Sequence, residues 1–310
     1  MSDIQIDTKS NSKSSQIILN PYLRTFLEDS TSGFLSGISQ ILVGQPLDLA
    51  KVLVQTRQYS STSTALLNVT KNEGPLALYK GASVPLIGTG IMNMILFNFT
   101  YVTRREILRL NPEQKELTMS QYYGAGTLAG VFIAFLASPV EQIRILLQTQ
   151  PADSKIYKGP IDAMKKIYHA DGMSGIFRGL PVTILRDAHA HGVWFVTYEY
   201  LIKKTCDYYH CEREEISPIN LLTFGGIAGI TLWGSTYPID VIKTVQQSDG
   251  IGKNKRFNSF IDVYKWIYQT SGYNGFWKGI SATLVRAFPV NAAVFATAEI
   301  TRRLIKKDTD

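Results

Sequence analysis

Charged residues are absent from four long stretches of the chain, 30–47, 81–103, 117–140 and 216–239, each of 18–24 residues. Within them, leucine, isoleucine, valine and phenylalanine are interspersed with glycine, serine and threonine. Such stretches are long enough to cross a hydrocarbon core as helices, and their small residues allow close helix packing. The segments between them are polar with short mixed apolar patterns, the first running from Ser63 to Asn72. The pattern predicts helix, polar connector with a short amphipathic helix, then helix. In the first third of the chain the two long helices are expected from Thr31 to about Arg57 and from Gly81 to about Arg105.

The polar end of the first stretch carries a pattern that returns twice. Pro46, Asp48, Lys51 and Gln55 match Pro139, Glu141, Arg144 and Gln148, and again Pro238, Asp240, Lys243 and Gln247. Each proline is preceded at the same distances by two glycines: Gly33 and Gly37, Gly126 and Gly130, Gly225 and Gly229. A second landmark reads glycine, four residues, aromatic, base, glycine, and ends at Tyr79-Lys80-Gly81, Phe177-Arg178-Gly179 and Trp277-Lys278-Gly279. The chain is therefore three copies of one unit of about 100 residues.

The net charge of +7 does not alter this picture. The bases are scattered through loops and helix ends, with no basic stripe interleaved with aromatics, so nucleic-acid binding is excluded; positive loops facing anionic lipid account for them. Cys206 and Cys211 flank His210 in a polar connector without enough ligands for a metal site. No nucleophile–base pair, metal spacing or phosphate loop points to an enzyme or a cofactor. The first residues are rich in Ser, Asn and Lys, and read as a disordered tail over 1–24, followed by repeats at 25–115, 116–212 and 213–310.

Taken together, Pro-x-[Asp/Glu]-x-x-[Lys/Arg] three times over, each followed by glycine, four residues, aromatic, base and glycine, resembles the mitochondrial carrier family. The resemblance runs from about residue 25 to residue 305. It implies an all-α membrane protein with six transmembrane helices in three pseudo-threefold repeats and three short matrix-side amphipathic helices. It implies a multi-pass monomer of the mitochondrial inner membrane with both termini toward the intermembrane space. The family's further base two positions after the signature base is replaced here by Leu53, Leu146 and Val245.

Ionisable side chains inside a membrane bundle must pair or face water. The family's arrangement pairs Asp48 with Arg144, Glu141 with Lys243, and Asp240 with Lys51 in a matrix gate, with Gln55, Gln148 and Gln247 as braces beneath. With the first long helix of each repeat called odd and the second even, the prolines are expected to kink the odd helices and the glycines to let them approach. The family's outer gate is degraded to Arg104, Glu199, Glu299 and Arg302, and pairs of Glu199 or Glu299 with Arg104 or Arg302 are expected. A glycine opening a helix exposes N–H groups to anions. Gly81, Gly179 and Gly279 therefore read either as lipid head-group sites, the implied lipid being cardiolipin, or as part of an interfacial belt of aromatics and bases.

Aligning the even helices on these glycines puts Gly88, Arg186 and Arg286 in one column, seven residues or roughly 10 Å inward. In the family this column and the next position contact substrate, which marks Gly88, Thr89, Arg186, Asp187 and Arg286. Two lone arginines amid apolar runs suit a substrate carboxylate, and Asp187 suits an ammonium group. This pair, Trp233 and the stretch from Arg286 to Phe295 resemble the amino-acid and carnitine/acylcarnitine subgroup. Val43 to Pro46 and Arg186 to His189 resemble its yeast organic-acid and amino-acid carriers. His189 either faces the cavity or packs between helices, and Trp233 either stacks on a ligand or anchors packing. The expectation is an antiporter of a small carboxylate-bearing metabolite, an amino acid such as glutamate. The alternatives are carnitine or acylcarnitine, a basic amino acid, or a proton leak or receptor on the same fold.

Overall fold

The computed structural model describes residues 21–114, 116–151, 155–252 and 255–307. The expected tail therefore lies mostly outside the described residues. Among those described there are nine α-helices and no strand: α1 (Pro21–Gln55), α2 (Thr62–Glu73), α3 (Ser83–Leu110), α4 (Met119–Thr149), α5 (Pro160–Ile176), α6 (Leu180–Tyr209), α7 (Pro218–Ser248), α8 (Phe260–Ser271) and α9 (Ile280–Lys307). The long–short–long order recurs three times. α1 begins at Pro21, ten residues ahead of the expected Thr31, because Glu28 and Asp29 end the uncharged stretch without breaking the helix.

Local sequence sets the ends of these helices. Thr118 and Gln121 close a capping box on α4, and Ser259 and Asp262 one on α8; each side chain satisfies a backbone N–H that the helix leaves free. Ser61 caps α2. Pro46, Pro139 and Pro238 sit inside α1, α4 and α7. Each removes one N–H from the helical ladder.

Each short helix lies on the final turns of the long helix before it. Leu49, Leu53 and Val54 bury against Ala65 and Val69, Ile143, Leu146 and Leu147 against Ala163 and Ile167, and Tyr237, Val241 and Val245 against Val263 and Ile267. Leu53, Leu146 and Val245, which stand where the family carries a further base, are thus the floor of the short helices. Burying such side chains contributes roughly 1.5–3 kcal/mol apiece.

α1 packs on α9, α3 on α4 and α6 on α7, so that each repeat touches the next and the three close on themselves. Within the second repeat α4 and α6 also lie in close contact. A Cβ on Gly130 would fall 2.3 Å from the Asp187 carbonyl oxygen, and one on Gly126 2.6 Å from that of His191. The first and third repeats differ: a Cβ on Gly37, Gly225 or Gly229 would meet nothing within 4 Å. The expectation that these glycines bring helices together thus holds for Gly126 and Gly130 and not for Gly37, Gly225 or Gly229, while the surroundings of Gly33 lie outside the described residues. The outside of the bundle is apolar, with Phe34, Ile91, Leu128, Ile230 and Val285 exposed, while Asp240, Lys243 and Asp187 are buried.

Candidate functional site

Three acids and three bases from the odd helices meet around the bundle axis. Asp48 Oδ2 on α1 accepts from Arg144 Nη2 on α4 at 3.0 Å. Glu141 Oε2 on α4 lies 2.5 Å from Lys243 Nζ on α7. Asp240 Oδ2 on α7 lies 2.8 Å from Lys51 Nζ on α1. The two-residue and five-residue offsets from each proline place acid and base on neighbouring faces of one helix, and three helices around an axis let each acid reach the next helix's base.

The lone arginines join this ring instead of standing apart from it. Arg186 Nη2 on α6 donates to both Glu141 oxygens, at 2.8 and 3.1 Å, and its Nε lies 2.9 Å from Asp187 Oδ1. Arg286 Nε on α9 lies 2.9 Å from Asp48 Oδ1. Both line the central cavity, and Asp187 supplies the expected opposite charge beside Arg186; what spacing did not give is their pairing with the ring acids, whose second carboxylate oxygen remains free to take another cation. Gly44 makes room for one of them, since a Cβ there would lie 2.8 Å from Arg286 Nε. Asp48 and Glu141 therefore each hold two cations, whereas Asp240 holds Lys51 and the amide of Gln55.

Of the three expected braces, one bonds a ring pair. Gln55 Nε2 donates to Asp240 Oδ2 at 3.0 Å. The Gln148 and Gln247 amides are buried without hydrogen-bond partners among the described residues. Their Cγ atoms lie instead against Gly81 and Gly179, as that of Gln55 lies against Gly279: a Cβ on these glycines would fall 3.1, 3.0 and 3.5 Å away. All three glycines also have positive φ, 74°, 80° and 85°, so contact and backbone each account for the missing side chain. Sequence reasoning passed over Gln45. It accepts from Arg144 at 3.1 Å and donates to the Lys80 carbonyl at 2.7 Å, in place of a glutamine beneath the ring. Its position just before Pro46 was the available signal, since Tyr237, just before Pro238, likewise donates to the Lys278 carbonyl.

These groups line a cavity of about 160 Å³, room for about five waters at roughly 30 Å³ each. Five bases (Lys51, Arg144, Arg186, Lys243, Arg286) and three acids (Asp48, Glu141, Asp240) face it, a surplus of two positive charges. Trp233 also lines it, with Lys51 Nζ 4.2 Å from its ring centre, so its stacking partner here is a gate base. Gly88 lies beside Met92 and Val140, outside that lining. The side chain of Thr89 falls outside the described residues. Asp187 is buried behind Arg186. His189 is not part of the cavity wall: its Nδ1 is held 2.8 Å from Tyr123 Oη on α4, so packing between helices, not the cavity, is where it lies.

Toward the other end of α6, Glu199 Oε1 accepts from Arg104 on α3 at 3.0 Å. Arg213, in the connector before α7, donates to Glu199 Oε2 at 2.7 Å and was not singled out in the sequence. The side chains of Glu299 and Arg302 lie outside the described residues.

Comparison with known proteins follows the same threefold division. The mitochondrial carrier protein family matches residues 23–110, 115–209 and 214–309. The chain belongs to that family. This carrier is 40% identical to the mitochondrial glycine transporter YMC1 of Saccharomyces cerevisiae, over 90% of this chain and 92% of the relative. It is 37% identical to the glutamate/glycine mitochondrial carrier ymc1 of Schizosaccharomyces pombe, over 90% and 96%. With the human mitochondrial carnitine/acylcarnitine carrier protein it shares 34% identity over 90% and 94%. Each of the three matches contributes one acid and one base to the carrier's ring.

Proposed function

We propose that this carrier exchanges a small zwitterionic amino acid, glycine or glutamate in kind, across the mitochondrial inner membrane by alternating access. The observation that carries the reading is the double use of Glu141 and Asp48, each of which holds a gate base and a lone arginine. A substrate carboxylate that takes Arg186 or Arg286 leaves the gate acid with one cation instead of two, and the freed carboxylate oxygen receives the substrate ammonium. Binding at the midpoint thus loosens the ring by the same contacts that hold the substrate. Without substrate the ring keeps all its pairs, which favours exchange over net flow.

α1, α3, α4, α6, α7 and α9 are the proposed six spans, each of 28 residues or more, against about 20 needed to cross a bilayer core. Among the described residues only α4 is apolar enough to be recognised as a span by composition; the others give up apolar positions to a polar pathway. The ring end, where the short helices lie, is the proposed matrix side and the Arg104–Glu199 pair the outer gate. Helix starts after Gly81, Gly179 and Gly279 are the proposed cardiolipin seats, with the carrier acting as a monomer. The surplus of two positive charges favours a neutral or acidic amino acid over a basic one. Purified carrier in liposomes loaded with glycine, glutamate, ornithine, carnitine esters or dicarboxylates tests this. Exchange of glycine or glutamate is expected, lost in Arg186→Lys while the protein stays folded. No exchange with any of them, or full activity in Arg186→Lys, overturns it.

A further inference from the structure

The residue eleven places after each motif proline differs among the repeats, and with it the junction between repeats at the short-helix end. Asp249 of the third repeat is clasped by Arg178 of the second, which also donates to the Gly250 and Phe257 carbonyls. Arg57 of the first repeat stacks on Trp266 of the third, 4.2 Å from its ring centre. At the junction of the first and second repeats the equivalent groups turn back on themselves. Lys80 pairs with Glu73 of its own repeat, and Gln150 bonds both the N–H and the carbonyl of Tyr157. A cavity of about 320 Å³ is left there.

Its wall carries Glu73 and Lys80 on one side and Gln148 and Gln150 on the other, over Leu53. Gln148 also lines the central cavity, so its side chain is a partition between the two spaces. The side chain is buried at 2% exposure, yet neither amide atom has a hydrogen-bond partner among the described residues. A buried amide left in that condition is destabilising unless something supplies its bonds. The Lys80 carbonyl accepts from Gln45, which in turn accepts from gate residue Arg144, so the backbone at Lys80 is two hydrogen bonds away from the gate while its side chain faces the off-axis cavity.

We propose that this cavity is a second, off-axis binding site for the free amino acid at the matrix end, where substrate rests between the gate and the matrix. The inference rests on the amino-acid reading above. A zwitterion inserts into the Glu73–Lys80 pair, its ammonium on Glu73 and its carboxylate on Lys80, and its remaining polar atoms satisfy the Gln148 amide. The carboxylate of Glu73 opposes an anionic lipid head group in the same place.

The test uses the full carrier inserted in one orientation in liposomes, with the half-saturating concentration of glycine or glutamate measured separately at each face. The double change Glu73→Gln with Lys80→Gln removes both charges that the zwitterion would meet and leaves no unpaired one, and Asn72→Trp fills the rim. Both are expected to raise the half-saturating concentration at the short-helix face about tenfold, the effect of losing one charge-assisted pair, and to leave the opposite face unchanged. Wild-type values at both faces in both variants overturn the second site while leaving the carrier function standing. Cardiolipin stabilising the wild type against heat but not the Glu73→Gln/Lys80→Gln variant, with transport untouched, assigns the cavity to lipid and also overturns it. Absence of amino-acid exchange in the wild type removes the parent reading and this one together.

Discussion

The Arg178–Asp249 clasp offers a direct measure of how much one junction between repeats contributes. Arg178→Met keeps the apolar stem and removes the guanidinium fork. Three hydrogen bonds go with it, to Asp249 Oδ2 at 2.5 Å, to the Phe257 carbonyl at 3.0 Å and to the Gly250 carbonyl. Both partners are nearly inaccessible, at 8% and 1% side-chain exposure. Adding about 1.5–3 kcal/mol for each bond to a charged group overstates the loss, because Asp249 keeps the Arg256 and Phe257 amides and the Arg256 guanidinium. Removing one member of a buried pair costs about 3–5 kcal/mol, which sets the expected figure. At about 2 °C per kcal/mol for a chain of this size, the melting temperature of detergent-solubilised carrier should fall by about 6–10 °C. The control is Lys166→Ala, which breaks the exposed Lys166–Asp162 pair and should move it by less than about 2 °C, as surface pairs do. Equal shifts in the two variants would show that the clasp does not hold the second and third repeats together.

Further outcomes follow from the same contacts. Burial pushes the Asp249 carboxyl up, but its amide donors, Arg256 and Arg178 outweigh that and hold it below the usual carboxylate range. A depressed folded-state pKa gives stability that is present above the ordinary carboxylate value and lost as pH falls below it. The melting difference between wild type and Asp249→Asn should therefore be constant from pH 7 to about 5 and shrink below about 4; a difference that grows toward acid pH contradicts this. Gly130→Ala forces α4 and α6 apart and should destabilise by about 1–3 kcal/mol, while Gly229→Ala, with open space around it, should be close to neutral in the same melting assay. Gln55→Ala removes the bond to Asp240 and should lower stability by about 1.5–3 kcal/mol. Gln247→Ala loses no such bond, so an equal effect there would argue against the brace.

The repeats and the order of helices could be read from spacing, because proline, acid and base recur at fixed offsets; the partners within the ring came from the resemblance to the carrier family. What spacing does not carry is the rotation of the even helices about their axes. Whether Arg186 faces empty space or the second oxygen of Glu141 depends on a few degrees of that rotation, and no periodicity records it. Arg213 was illegible for a different reason: it lies in a connector, outside the repeated pattern. The glutamines were read as equivalent because their positions are equivalent, but only Gln55 reaches an acid, since Asp240 holds a single cation and keeps room for an amide. Leu53, Leu146 and Val245 looked like simple departures from a motif until the short helices were seen resting on them.

The seam of α4 and α6 has a mechanical consequence. With Gly126 and Gly130 in backbone contact, the middle third of the bundle is fixed like a post, and any motion that opens one end must carry its two long helices together. The outer thirds have open space beside Gly37, Gly225 and Gly229, and each leans on its neighbours more than on its own second long helix. Symmetry of sequence thus coexists with unequal seams: one third is locked within itself, and the other two are joined chiefly across their borders.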